Sequence, residues 1–171
     1  MDSGCARFGD WNGLVRRLTT TGGRMRLAVA DMPRREGVRL ASKIRDGITS
    51  QAPGGKRFHK LADATIRRKG SSKALIDTAD MRNSVTSQEI ERGRVFVGLL
   101  RTRIHRKEMG EKSTMDVANL GYIHEVEGVR AGKGGKHRIR RPFIMPVWEK
   151  EKEGIKRRFV GAVEGVLTAK G

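Results

Sequence analysis

Apolar residues recur at three- and four-residue steps on either side of one short stretch in which they alternate, and that change of period points to an α+β fold. From Trp11 to Gln51 the helical step is kept by Leu14, Val15, Leu18, Leu27, Val29, Met32, Val38, Leu40, Ala41, Ile44 and Ile48. Gly22, Gly23 and Pro33 interrupt it. The pattern therefore predicts an N-terminal segment, residues 1–22, with a short helix near 11–20, then a long helix over 24–50 with a kink or break around Pro33. Between Asn83 and Leu100 the apolar residues Val85, Ile90, Val95, Val97 and Leu99 predict a β-hairpin over 83–100 that turns around Glu91-Arg92-Gly93. Helical spacing returns in Trp148, Ile155, Phe159, Ala162, Val163, Val166 and Leu167, which predict a final helix over 147–167 with Pro146 in its first turn.

The connecting segments are polar and basic. Ala52-Pro53-Gly54-Gly55 carries turn chemistry, and residues 56–73 read as a short amphipathic turn or helix on a loop. Residues 101–114 read as an exposed basic loop or an insertion between strands, and Met115 to Val126 as a short helix capped by Ser113 or Thr114. Residues 128–139 read as a second exposed loop, with too many glycines and bases to bury anything, ahead of an extended segment from Arg140 to Pro146. At 171 residues and 36% hydrophobic composition the chain fits a single domain with a modest core. The expected architecture is a small antiparallel sheet, including the hairpin, packed against the long N-terminal helix and the C-terminal helix.

Charge narrows the partners. With 37 Lys+Arg against 19 Asp+Glu the formal charge is +18, which favours a polyanion or an acidic protein surface. The single cysteine, Cys5, makes no intramolecular disulfide, and no Cys/His spacing suits structural zinc. Nothing approaches the roughly 18 apolar residues of a membrane span, and no signal-like run opens the chain, so synthesis in the cytoplasm and no membrane partner are expected. His124 with Glu125 and Glu127 reads as a structural hydrogen-bonding group ahead of a metal site. Ala131 to Lys136 lacks the phosphate-loop spacing despite its glycines and lysines, and no Ser/His/Asp set suggests a nucleophile. No catalytic residue, metal ligand or cofactor is assigned, and the expected class is non-enzymatic.

Three blocks carry a family resemblance. Leu75-Ile76-Asp77-Thr78-Ala79-Asp80-Met81-Arg82-Asn83-Ser84-Val85 resembles the Leu-x-x-Thr-Gly-x-Leu-x-x-Ser-Ile signature that opens the hairpin of phage tail-completion and virion-morphogenesis proteins, the family of the lambda-like minor tail protein Z. Tyr122-Ile123-His124-Glu125-Val126-Glu127-Gly128 is similar to their Tyr-Ala-x-x-His-Glu-Phe-Gly block. Arg140-Arg141-Pro142-Phe143-Ile144-Met145-Pro146 is similar to their Pro-x-Arg-Pro-Phe-Leu block before the last helix. The departures are Ala79 in place of the usual glycine, the extra Glu127 before Gly128, and the long polar stretch 101–114.

The resemblance implies a neck or tail-completion subunit that assembles with itself in a ring, hexamer ahead of dodecamer, and helps join the tail to the DNA-filled head. Its expected neighbours are the tail-terminator and head-closure or connector proteins, with genomic DNA in the channel as a further possible contact and the virion neck as its place. The motif residues Thr78, Ser84, Tyr122, His124, Glu125, Gly128, Pro142 and Phe143 are expected to be structural. Thr78 and Ser84 would turn the chain into the hairpin, while Phe143, and Trp148 with it, would anchor the core. The candidate interface is basic: Arg101, Arg103, Arg106 and Lys107 on one loop, and Lys133, Lys136, Arg138, Arg140 and Arg141 on the other. The alternative is a nucleic-acid-binding protein that works through phosphate contacts.

Overall fold

The computed structural model describes residues 9–76, 79–101, 103–105, 114–131, 135 and 137–168. The chain is α+β. Two helices lead, α1 (Trp11–Ala30) and α2 (Met32–Ser50), followed by a 3₁₀ turn at Pro53–Gly55, α3 (Asp63–Lys69) and a single helical turn, α4 (Asp80–Asn83). Next come β1 (Val85–Glu91), β2 (Arg94–Leu99), β3 (Arg103–His105), β4 (Thr114–Asp116), α5 (Val117–Tyr122), β5 (Val129–Ala131), β6 (His137–Ile139) and α6 (Met145–Thr168). The strands form three separate antiparallel pairs, β1 with β2, β3 with β4 and β5 with β6.

The leading helices divide elsewhere than the glycines suggested. Gly22 and Gly23 lie inside α1, each at a cost of roughly 0.5–1 kcal/mol, and the break falls at Asp31. Pro33 explains it: without an N–H it cannot bond the carbonyl of Val29, and it is tolerated only in the first turn of a new helix. Asp10 caps α1, its carboxylate accepting from Gly13 N–H at 2.8 Å.

α2 supplies the wall of the core through Leu40, Ala41, Ile44 and Ile48, spaced to share one face. Against it pack Met81, Val85, Val117, Phe143 and Val147. Gly37 lets the β1–β2 hairpin approach α2 closely, since an added Cβ would stand 2.5 Å from both Ser87 Oγ and Val95 Cγ1. The hairpin turns at Arg92-Gly93, where Gly93 takes the left-handed conformation with φ +82°. The sequence reading of this element and of the final helix holds, although that helix starts at Met145, two residues early.

α6 runs back along α2. Its first turn lies over the Pro53–Gly55 turn, where an added Cβ on Gly54 would strike the Pro146 carbonyl, and farther on Arg158 meets Glu36. That pair is bidentate, with Nε and a terminal nitrogen of Arg158 each 2.7 Å from a Glu36 oxygen. The Arg158 hydrogen bonds hold the buried Glu36 carboxyl below its ordinary value, and Glu36 raises Arg158 in return. A depressed carboxyl stabilises the fold above the ordinary carboxylate range and loses that contribution as pH falls through its folded-state value. Arg158→Met is therefore expected to destabilise the protein by about 2 kcal/mol at pH 7. In urea titrations its gap from the wild type should narrow steadily below about pH 4. A gap independent of pH would assign the loss to packing.

Three further expectations are corrected. The cap of α5 is Asp116, whose carboxylate accepts from Ala118 N–H at 2.8 Å, because Thr114 belongs to β4 and Ser113 lies outside the described residues. The segment 128–139 is not wholly loop: β5 and β6 pair there, and Gly128 is buried. Trp148 is 41% exposed and does not anchor the core, whereas Phe143 is fully buried. Among the described residues no helix is long and apolar enough to cross a membrane.

Candidate functional site

The second and third motif blocks meet at one carboxylate. After α5 the backbone widens into a π-type turn, Ile123–Glu127, closed by Gly128 N–H on the Ile123 carbonyl at 2.6 Å. This aims Glu125 at the start of α6. One of its oxygens accepts from Phe143 N–H at 2.7 Å and Ile144 N–H at 3.1 Å, the other from Met145 N–H at 2.8 Å. These are amides that a helix start leaves without intrahelical partners, and a negative charge there also complements the helix dipole. A second tie lies beside the first, Arg141 N–H donating to the His124 carbonyl at 2.9 Å.

Arg141 itself is a correction to the basic interface. It is 7% exposed, and its guanidinium donates to the backbone carbonyls of His59 at 3.1 Å and Lys60 at 3.4 Å. Burial pushes its pKa down from the ordinary arginine value. It pins the 56–62 segment to the core and offers nothing to a partner. Neighbouring Arg140 is exposed, as expected where side chains of an extended backbone alternate.

The other motif residues divide between interior and surface. Ser84 ends α4, donating its N–H to the Asp80 carbonyl at 2.8 Å and accepting Leu100 N–H at 3.1 Å, so it closes the base of the hairpin. Tyr122 is exposed, His124 and Pro142 are half-buried, and Phe143 is sealed in the core. Ala79 has φ +62°, a left-handed conformation that favours glycine, at the position where the resembled signature has glycine. Thr78 lies outside the described residues.

Three exposed arginines gather on one ribbon. Arg130 on β5 pairs directly opposite Arg138 on β6, and Arg140 follows two residues on. An added Cβ on Gly128 would stand 3.1 Å from Arg140 Cγ and 3.2 Å from Arg138 Cβ, which places both arginines over the same glycine. Like charges directly opposite in a ladder are unfavourable on their own, and an anion laid across them would reverse the sign. Sequence reasoning missed Arg130, which the pairing register, and not any run of bases, brings opposite Arg138. Arg101 is exposed, with only a 3.9 Å contact to Asp116, and Arg103 lies on β3 opposite Asp116. Arg106, Lys107, Lys133 and Lys136 lie outside the described residues.

Among the described residues no group of three or more His, Cys, Asp or Glu could hold a metal ion. A cleft of about 160 Å³ between the end of α2 and the start of α6 is lined by Lys43, Asp46, Ser50, Lys150 and Glu151 among others. It is smaller than the roughly 300–1,000 Å³ typical of ligand pockets, and its charges alternate in sign. The chain matches no protein-family model, no curated protein and no solved structure.

Proposed function

We propose that this chain is a structural, non-enzymatic subunit of a tailed-phage virion. In this reading it stands at the neck, closes a ring with its own copies, and helps join the finished tail to the DNA-filled head. The observation that carries the reading is the Glu125 clasp, because it gives two of the three resembled blocks, His-Glu and Arg-Pro-Phe, one shared physical task. The left-handed Ala79 in the first block adds to it. A rigid wedge of hairpin, α2 and α6 suits side-by-side packing in a heterologous ring of six or twelve, and the basic ribbon would face a neighbouring terminator or connector protein. The test is electron microscopy of particles assembled with the gene disrupted. Filled heads beside unjoined tails are the expected result, and intact infectious particles would remove the proposal.

One observation favours a second reading, direct contact with nucleic-acid phosphates. Arg130, Arg138 and Arg140 share one exposed face, and a two-stranded ribbon fits the width of a DNA groove. On that reading the triple substitution Arg130→Ala, Arg138→Ala, Arg140→Ala weakens duplex binding regardless of sequence. It also lowers the slope of log affinity against log salt by about 2.7, the value for three lost phosphate contacts. Fluorescence anisotropy with two unrelated duplexes checks it, and an unchanged slope leaves the ribbon to acidic protein surfaces.

A further inference from the structure

α1 is a 20-residue helix with no buried residue. Trp11, Leu14, Val15, Leu18, Gly22, Met25 and Val29 follow one another at steps that keep them on a single face. At the C-terminal end of this stripe Met25 and Val29 are half-buried, and α6 is the main element packed on α1. At the other end the same stripe stands open: Trp11 is 62% exposed, Leu14 45%, Val15 59% and Leu18 64%. A helix end of this length is marginal in water without tertiary contact.

We infer that a second copy of this chain covers it, through antiparallel pairing of the two α1 helices about a two-fold axis near Arg16 and Arg17. Three observations favour this occupant. First, the stripe is self-complementary. In that register Val15 lies opposite Leu18 of the second copy, and Trp11, the largest side chain, lies opposite Gly22, which has nothing within 4 Å of where a Cβ would stand. The glycine thus supplies a hole for the indole at both ends of the pair, a reason for keeping such a residue inside a helix. Second, the stripe itself carries no charge over the paired stretch, although α1 holds four arginines and no acidic residue and two copies therefore repel at low salt. Arg16, Arg17 and Arg24 lie on the other faces, and the N-terminal half of the stripe is flanked by the uncharged Asn12, Thr19 and Thr21. Third, the part of the stripe that stands open is its N-terminal half, while Met25 and Val29 farther along it are half-buried. The paired stretch, Trp11 to Gly22, is about 18 Å long, at the small end of specific interfaces, so dissociation in the micromolar range is expected.

This contact is isologous, unlike the heterologous contacts of a ring, and it holds whether or not the chain is a neck subunit. Sedimentation velocity in 0.3 M NaCl, which screens the +18 charge, tests it over 1–200 µM. The wild type is expected to show a monomer–dimer equilibrium, with Trp11 emission in a Trp148→Phe background moving to the blue as the dimer fills. Leu18→Glu, at an exposed position, should raise the dissociation constant at least tenfold while leaving the circular dichroism spectrum unchanged. Gly22→Leu should also weaken the dimer, although it adds apolar surface and favours helix, because it fills the hole for Trp11. A monomeric wild type at 200 µM, a dimer indifferent to Leu18→Glu, or one strengthened by Gly22→Leu would each overturn the inference. Failure of the neck reading would show in assembled particles and leave this equilibrium untouched.

Discussion

Replacing Phe143 by alanine is expected to lower the free energy of unfolding by about 4 kcal/mol and the melting temperature by roughly 10 °C. Phe143 is fully buried in the cluster of Leu40, Ile44, Ile48, Val85, Val117 and Val147. Its ring also approaches α5, since an added Cβ on Gly121 would stand 3.6 Å from Phe143 Cζ. Removing it opens a cavity where α2, α5 and the start of α6 converge, and the adjacent Pro142 keeps the backbone extended so that it cannot collapse inward. Urea unfolding followed by circular dichroism measures the loss. A change below about 1.5 kcal/mol, typical of a volume-conserving core swap, would mean that the cluster repacks around the gap.

The second large effect is expected at Glu125. Glu125→Ala strips the acceptor from three amides at the head of α6 and should cost about 3 kcal/mol. Glu125→Gln keeps one acceptor oxygen but turns an amide donor toward other N–H groups, and should cost about 1.5 kcal/mol. Thermal melts at pH 7 compare the two. Equal losses would show that the side chain's packing matters and that its hydrogen bonding does not. Neither substitution touches the exposed arginines, so polyanion binding measured below the melting temperature should survive both.

The parts of the fold that were legible in the sequence are those in which one element repeats its own period for long enough. β2 alternates through Val95, Val97 and Leu99 and carries the hairpin's period for both strands, and α6 keeps its stripe from Ile155 to Val166. β5 and β6 are three residues each, too short to display a period of two, and their glycines and bases read as loop chemistry. Gly22 and Gly23 looked like a break because each disfavours helix, yet their combined cost is small beside a helix that carries one stripe through them.

The candidate site was less legible because its defining contacts join residues far apart in the chain. Glu125 bonds amides 18, 19 and 20 residues away, and Glu36 meets Arg158 across 122 residues. Local spacing rules see such a glutamate only as a surface acid beside a histidine. The same limit merged Arg140 with Arg141, although their side chains part at the next turn of an extended backbone, one to solvent and one to the carbonyls of His59 and Lys60.

The clasp has a consequence for how this chain can change over generations. The basic ribbon leaves the body at Gly128 and returns at Arg140, and within a few residues of both points the chain is fastened by Arg141 on His124 and by Glu125 on Phe143 to Met145. Whatever hangs between exit and return is a closed loop on a fixed buckle. Doubling such a loop costs only about 0.6 kcal/mol in closure entropy, so lengthening, trimming or recharging it leaves the interior nearly unaffected. If the ribbon carries the contact proposed above, a change of partner requires rewriting that stretch alone and leaves the residues of the core as they are.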